Sequence, residues 1–241
     1  MNARNLDVAI IHKTNTSLTV LNRLAHIRLV GSNSLHMSDF KADILTHGEF
    51  DASVFGFNDL GFFGRVFTDM LKARTSSFVE RNSWDLKVHE GMEFDQYDTP
   101  YALYFAVWDY SGKVVGGLRL LPTASLHSSY MMLDAQLGSL PQIPSDLVTS
   151  DLPRDASVYE VTRLFIDKAL SVSDRNTVKA LLVQKLYSFA VEKNLSSYLA
   201  MLPSRSKMFF RDTPFSVSSI GSSWKSDGMK YSSFVISPDW L

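Results

Sequence analysis

Three carboxylates fall close together in this sequence: Glu93, Asp95 and Asp98, in the run Gly91-Met92-Glu93-Phe94-Asp95-Gln96-Tyr97-Asp98. Acids so near one another can take a proton from a substrate, hold a cation, or pair with guanidinium groups. In an extended stretch Glu93 and Asp95 point to one side, because side chains alternate. The same cluster also reads as a solvated loop. A calcium loop fits less well, since its remaining oxygen ligands are missing. Arg74, Arg119 and Arg163 bring the opposite charge. Arg119 and Arg163 sit among Leu, Val, Phe and Ile, where a lone guanidinium is costly to bury, so both require carboxylate partners. Glu160 stands three residues before Arg163. On a regular strand these two face opposite sides, and a bulge would realign them. Charge alone leaves two readings level: a buried ion-pair network and an active site.

Such residues need elements to hold them. From Asn58 onward, Leu60, Phe63, Phe67, Met70 and Leu71 recur at helical spacing, with Asn58 or Asp59 as cap, and the helix carries Arg74. The polar segment from Arg81 to Asp98 follows. Tyr101–Asp109 and Lys113–Leu121 read as strands joined by a turn at Tyr110-Ser111-Gly112, and Pro122 ends the second, which holds Arg119. Residues 135–157 contain three prolines and read as a loop with at most short helices. Val158–Ile166 is the strand bearing Glu160 and Arg163. Ser173 or Asp174 then caps a long helix through Val178, Leu181, Leu182, Lys185, Leu186, Phe189 and Ala190. Ser197–Leu202 reads as a strand, Ser206–Arg211 as a short helix, and Phe215–Ile220 and Tyr231–Ile236 as closing strands. This order gives an α/β fold, a mixed sheet with helices on its faces. Residues 1–49 form an N-terminal extension of weak pattern before a domain at 50–241. Its apolar stretches are Val8–Ile11, Leu18–Leu24 and Ile27–Val30. His12, His26, His36 and His47 show no metal spacing, and no metal is expected.

Composition narrows the function. Hydrophobic residues make up 45% and charged residues 20%, the balance of a globular protein. Sixteen Phe, nine Tyr and four Trp supply apolar surface for a core and a ligand tunnel. A net charge of -1 gives no bulk field for nucleic acid or an anionic membrane. The absence of cysteine excludes disulfides, thiolate metal sites and thiol nucleophiles, and is compatible with a reducing cytosol. Val8–Ile11, followed by His12 and Lys13, is too short an apolar run for a leader, and no stretch approaches the roughly 20 residues of a span. A soluble, cytoplasmic protein is expected.

The spacing Arg74-x3-Phe78-x5-Trp84-x8-Glu93-x-Asp95-x2-Asp98-x20-Arg119 resembles the signature of the LuxI, or autoinducer synthase, family. Arg119-Leu120-Leu121-Pro122-Thr123, the run Met132-Leu133-Asp134 and Glu160-x2-Arg163 match the family in order, and the likeness covers roughly residues 50–236. The loop before Glu160 is longer than usual, and Thr162 and Leu164 stand where Ser and Phe are common.

The resemblance implies a GNAT-like fold, a mixed and mostly antiparallel sheet flanked by helices. It implies an acyl-homoserine lactone synthase that takes an acyl chain from acyl carrier protein, or in some branches from acyl-CoA. The amine of S-adenosylmethionine attacks the thioester; its carboxylate then closes the lactone and releases methylthioadenosine. S-adenosylmethionine is thus a substrate, and no cofactor is expected. A carboxylate base is required, and the matching family position makes it Glu93. Asp95, Asp98 and Glu160 complete the acidic set, with Arg74, Arg119 and Arg163 ordering it or gripping the substrate carboxylate. Phe78, Trp84 and Phe165 would wall the substrate pocket, where an aromatic face also attracts the sulfonium. Core packing is the other reading of these aromatics.

Ordinary GNAT enzymes grip the pyrophosphate of CoA with a glycine-rich turn at a helix N-terminus, whereas Asp167–Thr177 contains no glycine, which favours acyl carrier protein as donor. A carrier protein is acidic. Residues 168–230 hold ten Lys and Arg against four Asp and Glu, and Lys179, Lys185, Arg205, Lys207 and Arg211 are the docking candidates. In the family a Thr early in the strand after the long helix goes with 3-oxo chains. Ala200 occupies that place here, which implies an unsubstituted acyl chain. Two competing readings are a GNAT-like N-acyltransferase using acyl-CoA on another amine and a non-catalytic ligand-binding protein.

Overall fold

The computed structural model describes residues 44–240 apart from 128, 149–150 and 227. The apolar stretches expected at Val8–Ile11, Leu18–Leu24 and Ile27–Val30, with His12, His26 and His36, lie outside the described residues. The sheet already begins at Leu45, four residues before the expected end of the extension. Its strands are β1 (Leu45–His47), β2 (Phe50–Phe55), β5 (Leu103–Asp109), β6 (Val114–Pro122), β7 (Val158–Ile166), β8 (Ser197–Pro203), β9 (Phe215–Ser219), β10 (Trp224–Ser226) and β11 (Met229–Pro238). A separate two-stranded ribbon joins β3 (Val88–His89) to β4 (Met92–Glu93). The main order is β1-β2-β5-β6-β7-β8-β11-β10, with β9 also paired to β11. Every pair is antiparallel except β7 and β8, which are parallel and bridged by a helix, as parallel neighbours require.

Alternation along the strands builds two cores. Phe105, Val107, Leu118, Leu120 and Val161 face helix α3 (Val172–Lys193), whose Val178, Leu182, Leu186 and Phe189 interlock with them. Tyr104, Ala106 and Leu121 face the opposite layer, where helices α1 (Leu60–Arg74) and α2 (Met131–Gln136) contribute Phe63, Met70 and Met132. Both layers press on β6 at consecutive glycines. A Cβ on Gly116 would lie 2.5 Å from Val178 of α3, and one on Gly117 would lie 2.9 Å from Met70 of α1. Only residues without a side chain let both helices approach one strand this closely.

The expected strands and helices recur with small changes at their ends. Helix α3 starts earlier than expected: its N-cap is Ser171, whose Oγ accepts from the Asp174 N–H at 3.1 Å, rather than Ser173 or Asp174. Asp174 is the residue that closes this capping motif from inside the helix. Strands β1, β2 and β10, and the short β3–β4 ribbon inside the polar segment, were not expected from the sequence. β1 and β2 make a hairpin turning at Gly48, whose φ of 62° suits glycine. Helix α1 runs directly into a π-helical turn over Thr75–Glu80, which turns Ser77 and Phe78 inward.

Two irregularities shape the site. β7 and β8 pair only from Val158–Ser197 to Val161–Ala200, and then separate. At the same point β7 bulges: Phe165 pairs with Gly117 and Thr162 with Arg119, so Arg163 and Leu164 together oppose Leu118. Arg163 takes up the extra residue with φ 54°. The bulge turns the Arg163 side chain onto the face shared by Glu160 and Thr162, the realignment their spacing demanded.

Candidate active site

The three guanidiniums and three carboxylates meet in one cluster. Arg74 ends α1, Glu93 ends β4, Asp95 and Asp98 lie in the turn that follows, Arg119 is in β6, and Arg163 is on the bulge of β7. The turn folds on itself: the Asp98 N–H donates to the Asp95 carbonyl, and the Asp95 N–H donates to Asp98 Oδ2 at 2.9 Å. Arg74 clasps Asp98 with two bonds of 2.9 and 3.0 Å and donates from Nε to Glu93 Oε2 at 2.5 Å. Arg119 holds Asp95 by bonds of 2.6 and 3.0 Å, reaches Asp98 at 2.9 Å, and donates from Nε to the Thr162 hydroxyl. Arg163 spans Glu93 at 2.9 Å and Asp95 at 2.7 Å. Tyr104 adds an O–H to Asp98 at 3.0 Å.

Arg74 and Arg119 are fully buried, and Glu93 and Asp98 nearly so. Three positive and three negative charges cancel, and almost every oxygen receives an N–H, the condition under which buried ions are tolerated. Burial alone would raise the Asp95 and Asp98 carboxyls. No single partner matches that effect, but Arg119 together with Arg163 at Asp95, and with Arg74 at Asp98, outweighs it, and both acids are held below the ordinary carboxylate range.

Glu160 lives in a different environment, and not beside a partner arginine. Its two oxygens accept the backbone N–H groups of Met131 (2.7 Å) and Met132 (2.9 Å), the first turn of α2. Burial pushes its carboxyl up to about 8, against the pull of those two N–H groups and of Arg119. Helix α2 is also tied to the acidic turn, because the Tyr97 hydroxyl donates to Asp134 at 2.7 Å and the Ser129 hydroxyl at 2.5 Å. Arg163 and Glu160 therefore share a face and a cleft, but not an ion pair.

The cleft opens where β7 and β8 part, with a volume of about 910 Å³. Glu160, Thr162 and Arg163 line its polar side. Phe78 and Trp84 stack at 5.0 Å and 8° in its wall, and Phe165 meets Phe78 edge-on at 6.1 Å. The Arg163 guanidinium lies 5.8 Å from the centre of the Phe78 ring. Among the described residues, the buried Trp84 indole N–H lacks a hydrogen-bond partner.

Two expectations are corrected. Ala200 is the last β8 residue paired with β7, and alternation sends its side chain into the core under α3; its neighbour Met201 borders the cleft instead. Lys185 is buried on α3 at 8% exposure, so it is no docking residue, whereas Arg205, Lys207 and Arg211 are exposed and Lys179 half-exposed. The Lys179 ammonium sits 5.7 Å over the Phe209 ring. Arg81 and Tyr97 were given no role from the sequence, and Asp134 entered only as part of the matching run Met132-Leu133-Asp134. Arg81 lines the cleft and pairs with Asp167 at 3.5 Å. Its position between Phe78 and Trp84 was the available signal.

Comparison with known proteins agrees with this geometry. The autoinducer synthase family model matches residues 64–222. An acyl-homoserine-lactone synthase of Vibrio anguillarum is 30% identical over 137 residues, covering 56% of this chain and 66% of that protein, just under two thirds of its length. The crystal structure of the AHL synthase LasI superposes with a TM-score of 0.63 at 21% identity, over 78% of this chain and 89% of that one. BjaI, a CoA-dependent acyl-homoserine lactone synthase solved with SAM and isopentyl-CoA, gives 0.62 at 20%, over 77% and 82%. These two share the fold, which is the GNAT-like one expected: a mixed, mostly antiparallel sheet flanked by helices. With well over half of its residues inside the family match, this chain belongs to the autoinducer synthase family of acyltransferases, the acyl-homoserine-lactone synthases.

Proposed function

We propose that the chain acylates the amine of S-adenosylmethionine and closes the product to a homoserine lactone, releasing methylthioadenosine. The observation that carries this is the juxtaposition of a charge-neutral guanidinium–carboxylate cluster with an aromatic-walled cleft at the parting of β7 and β8. Arg163 is the cationic group of the cluster that borders the cleft, placed to receive the amino acid carboxylate, while the aromatic wall of Phe78 and Trp84 borders the place of the sulfonium.

The base role moves from Glu93 to Glu160. Glu93 is engaged by Arg74 on one oxygen and by Arg163 on both, so its electron pairs are committed to guanidinium N–H groups. Glu160 borders the cleft with a proton affinity near 8, which suits removal of a proton from an ammonium close to neutrality. Its backbone donors fix the direction of its free electron pairs.

Acyl carrier protein is the favoured donor. The N-terminus of α3 is closed by Ser171 and by Asp174, whose negative charge sits where a pyrophosphate would bind. Arg205, Lys207 and Arg211 offer an exposed basic face beside the cleft for an acidic carrier. At the strand mouth Met201, Leu202 and Pro203 bring no hydroxyl, which supports an unsubstituted acyl chain. The enzyme acts in the cytoplasm, in keeping with a chain without cysteine. Among the described residues, no helix is long and apolar enough to cross a membrane.

Mass spectrometry of lipid extracts from cells expressing the chain tests the reading. An acyl-homoserine lactone lacking a 3-oxo group is expected. Purified enzyme that consumes acyl donor without releasing methylthioadenosine would return the chain to a plain N-acyltransferase.

A further inference from the structure

The family match ends at residue 222, yet the aromatic wall of the cleft continues beyond it. Trp224 of β10 and Tyr231 of β11 are direct cross-strand partners, stacked at 5.5 Å and 25°. Tyr231 lies 6.3 Å from Trp84 at an angle of 53°, and Trp84 in turn stacks on Phe78. A line of four rings therefore runs from the Arg163 guanidinium to the edge of the sheet, and all four border the cleft. The steps on either side of the Trp84–Tyr231 contact are close to parallel, and that contact alone is wedge-shaped. Nothing among the described residues hydrogen-bonds the Trp84 indole, so apolar packing and ring contacts hold it. Asp85, next in the chain, brings a carboxylate to the same end of the cleft.

We infer that Trp224 and Tyr231 form the wall on which the purine of S-adenosylmethionine stacks, with Asp85 accepting hydrogen bonds from its ribose. The inference rests on the reading above that S-adenosylmethionine is the substrate. A purine offers a flat apolar face and is held by aromatic rings without regard to its edge. A carboxylate is the usual acceptor for a ribose diol. This orientation sends the amino acid half toward Arg163 and Glu160, at the other end of the ring line. Ordinary core packing accounts less well for the pair: β10 has three residues, ends the strand order, and leaves Trp224 half-exposed beside an open cleft.

Calorimetric titration with methylthioadenosine separates the two. Trp224→Ala is expected to weaken binding about tenfold, the scale of one lost base–ring stack. It should raise KM for S-adenosylmethionine alike, leaving kcat and KM for the acyl donor unchanged. Trp224→Phe should restore most of the affinity, and Asp85→Asn should weaken methylthioadenosine but not adenine, which has no ribose. If Trp224→Ala does not fold, Tyr231→Leu carries the same expectation. Unchanged affinity in a folded Trp224→Ala or Tyr231→Leu variant overturns the inference, as does an equal loss for the acyl donor. A wild-type protein that binds methylthioadenosine but makes no lactone sinks the synthase reading and leaves the wall standing. Lactone formation with an indifferent Trp224 does the reverse.

Discussion

Two buried acids a few residues from the same cleft behave in opposite ways. Asp98 is wrapped by Arg74, Arg119 and the Tyr104 hydroxyl and is held ionised. Glu160 is equally deep but has two backbone N–H groups in place of guanidiniums, and burial raises it to about 8. A carboxylate matched by guanidinium is architecture. A carboxylate hydrogen-bonded by backbone N–H groups and not by a guanidinium keeps a proton affinity in the working range of a base. Neither burial nor residue type distinguishes them; the partners do.

Breaking the cluster should have the largest effect on the fold. Arg74→Met leaves Asp98 and Glu93 short of a counter-charge in the interior, and about 3–5 kcal/mol of stability should be lost, read from urea unfolding. An Arg74→Met protein as stable as the parent would show that the cluster carries no structural weight. Glu160→Gln inverts this pattern. It should cost roughly 10²–10⁴-fold in kcat, the usual contribution of general base catalysis, while its unfolding midpoint at neutral pH should lie at or above the parent's, because folding there obliges the parent to protonate Glu160.

The pH dependence sharpens the contrast because the two signs differ. Asp95 and Asp98 lie below their unfolded value of 3.8, so their contribution is full above it and is lost as the medium is acidified through the folded values. Glu160 has a folded value of about 8 against 4.5 unfolded, so its contribution is full below 4.5 and disappears as pH climbs through 8. Over that alkaline limb Glu160→Gln should lose less stability than the parent, whereas Asp98→Asn should flatten the acid limb. For catalysis, kcat/KM should rise with pH to a plateau above about 8. A profile already flat at pH 6 would return the base role to another group. The smallest effect is expected at the surface: Lys207→Glu should raise KM for acyl carrier protein a few-fold and leave S-adenosylmethionine untouched.

Much of the scaffold was legible in the chain. β5 to β8 follow from short apolar and aromatic runs bounded by turn residues, α3 follows from its period of 3.6, and Val158–Ile166 matches residue for residue. The site residues were legible by type and spacing, because burying Arg119 among aliphatic neighbours demands a carboxylate. Their wiring was not. Which acid meets which arginine depends on a bulge at Arg163, and a bulge is one extra residue whose signature is a left-handed φ rather than any residue type. β1 to β4 and β10 were missed because strands of two to six residues carry too few alternations to stand out.

The face of Ala200 and the depth of Lys185 were settled by register, where a shift of one position reverses inside and outside. The sequence by itself therefore determined the cast: three acids, three arginines, the aromatics and the strands that carry them, each set by local pattern and by the cost of burying charge. Only the tertiary structure decided the parts, making Glu160 the acid without a guanidinium and bringing Trp224 and Tyr231 to the cleft. Proton affinity and pocket shape depend on neighbours distant in the chain, and local pattern holds no record of them.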